Sequence, residues 1–304
     1  MIRFAKQIEG LGEGELRAGG TDLMERRKSG RSRGDVVDLR DVAGLDAIEG
    51  DGTLRIGAKV HIATLAADAR VPRVVALAAG GLATPQIRAV ATVGGNLAQR
   101  VRCWYFRNPA FVCLQSGGTQ CLARDGDHLF HGCFDTGACI APHASTLACA
   151  FLAADAAVEL AGEPDALPIA EVLAALEEHA FGGPDRVVIT AVRVPAPFPG
   201  ERAAYLRAIS RTRAEWPLVE VSARVGVVDG KVTAARVVVG GVANMPLRRE
   251  KVEAALIGKV LDENTIAAAA KHATEGAKPL PMTGYKLPLL VGTVQEALER
   301  VMGA

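Results

Sequence analysis

The sequence predicts an α+β protein built from two or three subdomains, and three observations carry that prediction. The first 60 or so residues alternate short apolar runs with glycine turns, the pattern of a small α/β unit. A middle region of mixed helical and strand patterns is broken by an aperiodic segment holding five of the six cysteines. The last third places alternating strands first and helices after them, as an α+β domain does. A chain of 304 residues exceeds a single small core, and 49% hydrophobic residues suffice to fill more than one.

In order along the chain, Leu16-Arg17-Ala18 reads as a strand broken at Gly19-Gly20, with a helix from Thr21 or Asp22, a good capping residue. Val36 to Leu39 and Leu54 to Ala58 read as further strands, closing a first subdomain over 1–59. Helices are predicted at Ile62–Leu65, Val74–Ala79 and Ser145–Ala153, and strands at Ala156–Leu160 and Val187–Val194. Pro195 and Pro197 end this second subdomain, 60–198, which contains the cysteine-rich insertion 103–139. The third, 199–304, opens with strands Ala203–Ser210, Val219–Val228 and Val232–Gly241. Asp229-Gly230 between the last two is a two-residue hairpin signal. Helices at about 248–257, 262–275 and 286–301 follow; the last two are alanine-rich and amphipathic, suited to a core or a subunit interface.

Charge excludes some partners. With 35 basic and 34 acidic side chains the net charge is +1, which argues against nucleic acid and against an anionic membrane surface. Aromatics at 4% make a base-stacking platform a poor fit. The N-terminus is too charged for a signal peptide, and no run reaches the ~20 apolar residues of a membrane span. The expectation is a cytoplasmic protein, periplasmic only by co-export with a signal-bearing partner.

Two glycine segments suggest a ligand. Ala18-Gly19-Gly20-Thr21-Asp22-Leu23 lies between a strand and a helix, where amide groups and a helix N-terminus can cradle an anion. Steric need alone also places paired glycines in such turns. Thr92-Val93-Gly94-Gly95-Asn96 is a second such device, with Thr92 and Asn96 as side-chain hydrogen-bonding groups. Two cradles suit a dinucleotide, yet neither is Gly-x-Gly-x-x-Gly nor a Walker loop. The cysteine segment lacks the paired knuckles of zinc sites. Four thiolates can hold an iron–sulfur cluster; zinc, disulfides and free thiols are the alternatives. His128 and His131 read as solvent-facing loop residues, His61 as capping or packing a helix.

Arg17 to Leu23, then Gln86-Ile87-Arg88 and Ala91 to Leu97, together resemble the FAD-binding subunit of the xanthine dehydrogenase and carbon monoxide dehydrogenase family. The resemblance runs on through Ala141–Leu152, Val187–Pro195, Leu206-Arg207, Ser210-Arg211 and Gly284-Tyr285-Lys286. It implies a two-part FAD-binding domain of the vanillyl-alcohol oxidase-like (PCMH) type and a C-terminal domain of a three-stranded antiparallel sheet with helices. It implies FAD held by Arg17, Ala18, Gly19, Gly20, Thr21, Asp22 and Leu23 and by Thr92, Val93, Gly94, Gly95 and Asn96. Leu82 would pack near the flavin, and Arg207 would stand where relatives often carry a lysine facing it. Trp216 falls by the flavin-side strand. After His143 the family reads Pro-Ser-Asp where this chain has Ala144-Ser145-Thr146, which puts a cofactor contact by Thr146 in question; Ser145 and Thr146 can instead cap the next helix.

A subset of the family, including flavin subunits of 4-hydroxybenzoyl-CoA reductase and of some bacterial aldehyde oxidoreductases, carries a [4Fe-4S] cluster in an insertion that Cys103, Cys113 and Cys121 resemble. The fourth ligand is expected to be Cys139, where the chain rejoins the shared scaffold before His143, in preference to Cys133. The implied function is electron transfer from a molybdenum-cofactor large subunit and a [2Fe-2S] small subunit through FAD to an unknown acceptor, the substrate being an aldehyde or aromatic heterocycle. A reductive enzyme like 4-hydroxybenzoyl-CoA reductase and a flavin-binding scaffold without turnover are the alternatives.

Overall fold

The computed structural model describes residues 1–180, 187–211 and 214–304. It shows a mixed α/β fold with three sheets. The first is parallel: β1 (Ile2–Phe4), β2 (Glu15–Arg17) and β3 (Val36–Asp38) in the order β1-β3-β2, with α1 (Leu23–Lys28) crossing from β2 to β3. A small core of Leu11, Val37, Leu39, Val42 and Leu45 lies beneath it.

The second sheet has five antiparallel-paired strands, β4 (Ile48–Glu49), β5 (Leu54–Gly57), β6 (Ala157–Leu160), β7 (Leu167–Pro168) and β8 (Ile189–Val194), in the order β4-β5-β8-β6-β7. β5, grouped with the first unit in the sequence reading, hydrogen-bonds to β8, some 135 residues later in the chain. Helices α2 (Ile62–Ala67), α3 (Arg73–Gly81), α4 (Pro85–Arg88), α5 (Val93–Leu97), α6 (Trp104–Arg107), α7 (Thr146–Ala153) and α8 (Ile169–Ala180) accompany it. α7 is buried nearly all round at the centre of the larger core, between α3 and the third sheet.

The third sheet is antiparallel, β9 (Glu201–Ala208), β10 (Val219–Val228), β11 (Lys231–Gly240) and β12 (Leu247–Arg248), in the order β12-β11-β10-β9. The expected hairpin is present, with Asp229 and Gly230 both at positive φ, 51° and 75°. The expected count of three strands is corrected to four: β12 is two residues long, too short to show an alternating pattern, and pairs with Val238 and Val239. For the same reason the helix expected from 248 begins only after it. The helices are α9 (Glu250–Leu256), α10 (Glu263–Ala270), extended by a 3-10 turn Lys271–Thr274, and α11 (Lys286–Met302), packed on β9 and β10.

Candidate functional site

The first glycine segment leaves β2 at Arg17. The Arg17 guanidinium turns back into the sheet, Nη1 donating to the fully buried Asp38 carboxylate at 2.9 Å. Gly20 sits at φ 73°, a conformation natural to glycine. Gly19 is required for a different reason: a Cβ there would lie 2.0 Å from the Val90 carbonyl oxygen. The turn is therefore pressed against the chain that leads into the second segment. Among the described residues, the amides of Gly19, Gly20 and Thr21 donate to no protein acceptor.

Asp22 stands at the N-cap of α1 as expected, but its side chain makes no cap hydrogen bond. Its carboxylate is drawn into an ionic hub: Arg107 donates at 2.7 Å, Arg102 lies at 3.1 Å and Arg26 at 3.1 Å. Burial pushes its pKa up, but Arg107 and Arg102 outweigh that and hold it below the usual carboxylate range. Glu25 shares both arginines. The hub ties the glycine turn to the start of the cysteine segment. Leu23 is buried and packs.

In the second segment Thr92 caps α5, its Oγ1 accepting from Gly95 N at 3.3 Å. Val93 and Gly94 are buried. A Cβ at Gly94 would stand 2.9 Å from the Ala58 Cβ, so that glycine serves the seat of α5 on the end of β5. Gly95 and Asn96 face outward. Asn96 Oδ1 accepts from Ser145 Oγ at 2.7 Å, and Ser145, not Thr146, caps α7.

The two segments meet in one cleft. A pocket of about 80 Å³ is lined by Arg17 to Leu23 together with Thr92 and Gly95. It shares Thr21, Asp22, Gly95 and Gln99 with a cavity of about 480 Å³ that also reaches Leu82, Asn96, Thr146 and Arg207. Of the expected cofactor residues only Val93 and Gly94 lie outside this cleft. Beside Leu82, Ala83 is held at φ 50°, with Arg88 Nη1 donating to the carbonyls of both. Strained backbone of this kind concentrates at functional sites. Arg207 points a buried Nη2 that has no hydrogen-bond partner among the described residues. Sequence reasoning missed Arg102, Arg107 and Ile87 in the lining, and arginines without a glycine motif around them carry no local signal. Trp216 also lines the cavity, with the Arg102 guanidinium 4.3 Å from its ring centroid.

These features fit FAD. Free amides at the turn, an unpaired guanidinium and a cleft into which Gly95 opens are the complements of a pyrophosphate, a flavin edge and a ribityl chain.

The cysteine segment contains only α6 and a 3-10 turn, Leu114–Ser116. Cys103, Cys113, Cys121 and Cys139 line one small hollow of about 10 Å³, and Cys133 does not. Each of the four sulfurs receives backbone N–H groups: from Tyr105 and Phe106 at Cys103, Ser116 at Cys113, Ala123, Arg124 and Ile140 at Cys121, and Ala141 at Cys139. The Cys139 thiol donates to the Cys121 sulfur, holding the Cys121 thiol pKa low, at about 5. Cys139 is not on a strand; Gly132 N donates to the Ile140 carbonyl and holds the following backbone. Among the described residues no three His, Cys, Asp or Glu side chains are grouped to hold a single metal ion.

The expectation that His128 and His131 face solvent is overturned, since both are buried. His128 Nδ1 donates to the Ala123 and Gly126 carbonyls and Nε2 accepts from Met282 N, so it ties a loop. His131 Nε2 lies 3.2 Å from Cys103 Sγ, and burial lowers its pKa to about 4. His61 stands at the start of α2 without a side-chain cap bond. A further cavity of about 340 Å³ touches Cys103 and His131 on one side and shares Arg102, Ala144 and Trp216 with the flavin cleft. No helix among the described residues is long and apolar enough to cross a membrane.

Residues 5–197 match the family described as the FAD binding domain in molybdopterin dehydrogenase, and residues 204–301 the CO dehydrogenase flavoprotein C-terminal domain. The chain is 34% identical over 258 residues to the aldehyde oxidoreductase FAD-binding subunit PaoB of Escherichia coli K12, covering 79% of this chain and 78% of that one. In fold it resembles quinoline 2-oxidoreductase from Pseudomonas putida 86, with a TM-score of 0.75 and 20% identity over 100% of this chain and 97% of that one. It also resembles carbon monoxide dehydrogenase from Hydrogenophaga pseudoflava, with a TM-score of 0.73 and 21% identity over 99% and 96%. With both domain matches in sequence and a curated relative 34% identical, the chain belongs to the FAD-binding subunit family of the molybdenum hydroxylases and is an oxidoreductase subunit.

Proposed function

We propose that this chain transfers electrons between a molybdenum-cofactor large subunit with its [2Fe-2S] small subunit and an external acceptor, in a complex that oxidises an aldehyde. The observation that carries this reading is the convergence of both glycine segments, Leu82 and the unpaired Arg207 guanidinium on one cleft. The aldehyde is favoured over an aromatic heterocycle by the 34% identity to an aldehyde oxidoreductase subunit. When bound, FAD supplies the redox-active ring, and the protein supplies position and electrostatics. The Gly19–Thr21 amides bind the pyrophosphate, Asn96 the ribityl chain, and Arg207 places positive charge beside the ring. Leu82 and Trp216 exclude water from it.

The proposal extends to a [4Fe-4S] cluster on Cys103, Cys113, Cys121 and Cys139. A set of four sulfurs, each already supplied with amide donors, suits a polynuclear cluster, which takes one thiolate per iron. The reading is supported by Cys103, which also lines the cavity of about 340 Å³ that shares Arg102, Ala144 and Trp216 with the proposed flavin cleft. A cytoplasmic location accompanies this reading.

The test is absorption spectroscopy with metal analysis of the complex purified from its native host. Flavin, molybdenum and iron in excess of the small subunit's clusters are expected. A complex without flavin would overturn the central reading, and iron accounted for by the small subunit alone would remove the cluster.

A further inference from the structure

The buried polar group formed by Glu220, Thr146 and Tyr205 lies where the core around α7 meets the core under the third sheet, and Glu220 also lines the cavity of about 340 Å³. Glu220 is 2% exposed on β10. Its register partners are Arg207 on β9 and Gly240 on β11. A Cβ at Gly240 would lie 2.6 Å from Glu220 Oε1 and 2.8 Å from Cγ, so β11 carries a residue without a side chain where this carboxyl needs room. Oε2 accepts from the Tyr205 hydroxyl at 2.7 Å and from Thr146 Oγ1 at 2.9 Å. Among the described residues no cation bonds to it directly, and burial pushes its pKa up. Burying such a group without an ion-pair partner is costly, and a strand made to accommodate it points to a use.

Thr146 lines the flavin cleft. A threonine hydroxyl has one proton and two lone pairs. The proton is committed to Glu220, so only lone pairs remain for the cleft. We propose that Glu220 is a positioning residue of the cofactor site: by taking the Thr146 proton it makes that hydroxyl an obligate acceptor for a donor group of the bound FAD, a ribityl hydroxyl or a ring N–H. Without an acceptor at position 220 the hydroxyl is free to rotate and present its proton to the same group. The inference rests on the cleft being the FAD site and adds a residue that the glycine motifs do not contain.

The experiment titrates FAD into the flavin-stripped full chain, following quenching of flavin fluorescence, for a panel of variants. Thr146→Val should weaken binding about tenfold, the loss of one hydrogen bond of ordinary strength. Thr146→Ser should bind as the native chain. Glu220→Leu should weaken binding comparably, while Glu220→Gln, which keeps an acceptor oxygen, should not. The two losses should not add in Thr146→Val/Glu220→Leu, because both remove one interaction. Tyr205→Phe should leave affinity unchanged although it removes a bond to the same oxygen, which separates positioning from a general loss of packing. Thr146→Asp should bind poorly beside Glu220, two buried carboxyls being in contact, and recover when combined with Glu220→Leu. Additive losses, or a Glu220→Leu variant of native affinity, overturn the proposal. Should Glu220→Leu not fold, equal affinities of Thr146→Val and Thr146→Ser overturn it instead. A native chain that binds no FAD removes the cofactor-site reading and this proposal with it.

Discussion

Gly19 and Gly95 sit in the two cradles for opposite reasons. Gly19 is a contact: its Cβ would collide with the Val90 carbonyl, so the pressure falls on the protein itself. Gly19→Ala should therefore cost roughly 1–3 kcal/mol of stability, as overpacking does, read as a lowered midpoint in denaturant. Gly95 is an opening. Its φ is not positive, and its Cβ would stand 2.9 Å from Thr92 Oγ1, so a side chain there must displace the α5 cap slightly as well as face the cleft. Gly95 lines the cleft, so Gly95→Val should abolish FAD binding while lowering the thermal midpoint only modestly; full flavin occupancy in that variant would refute the site. Among the cysteines, Cys133 is fully buried beside Phe134 and Val242, its amide donating to the Val242 carbonyl, away from the four-sulfur hollow. Cys133→Ser should keep full iron and an unchanged paramagnetic resonance signal, and Cys139→Ser should lose both. The reverse result would move the fourth ligand; normal iron in every single variant would leave a thiol-rich loop.

At the level of elements, α11 begins on a buried cation. Lys286 is its first residue and is inaccessible, its Nζ donating to the Gly241 carbonyl at 2.6 Å. Burial lowers its pKa to about 8 from the usual 10.5, and a helix N-terminus disfavours positive charge further. With the folded value below the unfolded one, the unfolded chain binds more protons between pH 8 and 10.5, so this group's penalty is present below pH 8 and fades as pH rises through that window. Relative to Lys286→Met, the native chain should gain thermal stability from pH 8 to 10.5; a difference constant with pH would contradict this. The long elements were legible in the sequence because their periodicity is carried by many residues: β10, β11, α11 and the Asp229-Gly230 hairpin stand where the pattern put them. β12 and β4, two residues each, give alternation no length to show itself. Asp22 was legible as a cap because capping is local, whereas its real partners, Arg102 and Arg107, lie some 80 residues on. The resemblance singled out Cys103, Cys113, Cys121 and Cys139, which line one hollow, but the burial of His128 and His131 depends on partners such as Met282 that no local pattern announces.

For the whole molecule, FAD in the proposed cleft would be held by hydrogen bonds and charge, since no cysteine or histidine among the described residues lines it. Acid precipitation should release the flavin into the supernatant; a yellow pellet would refute non-covalent binding. Affinity purification from the native host should recover a large molybdenum subunit and a small iron–sulfur subunit, and a fully active single chain would defeat the proposed assembly. The strand order β4-β5-β8-β6-β7 has a consequence for biosynthesis. β8 is the middle strand and the last of the five to leave the ribosome, so until it arrives β5 and β6 present open edges, which other chains can extend. Domains tend to fold as synthesis proceeds, but here the central sheet cannot close before residue 194, and Arg207 is not yet in place even then. Cofactor capture therefore belongs after translation of the third sheet has begun, and a nascent chain stalled before β8 is a substrate for chaperones, with no flavin to steady it.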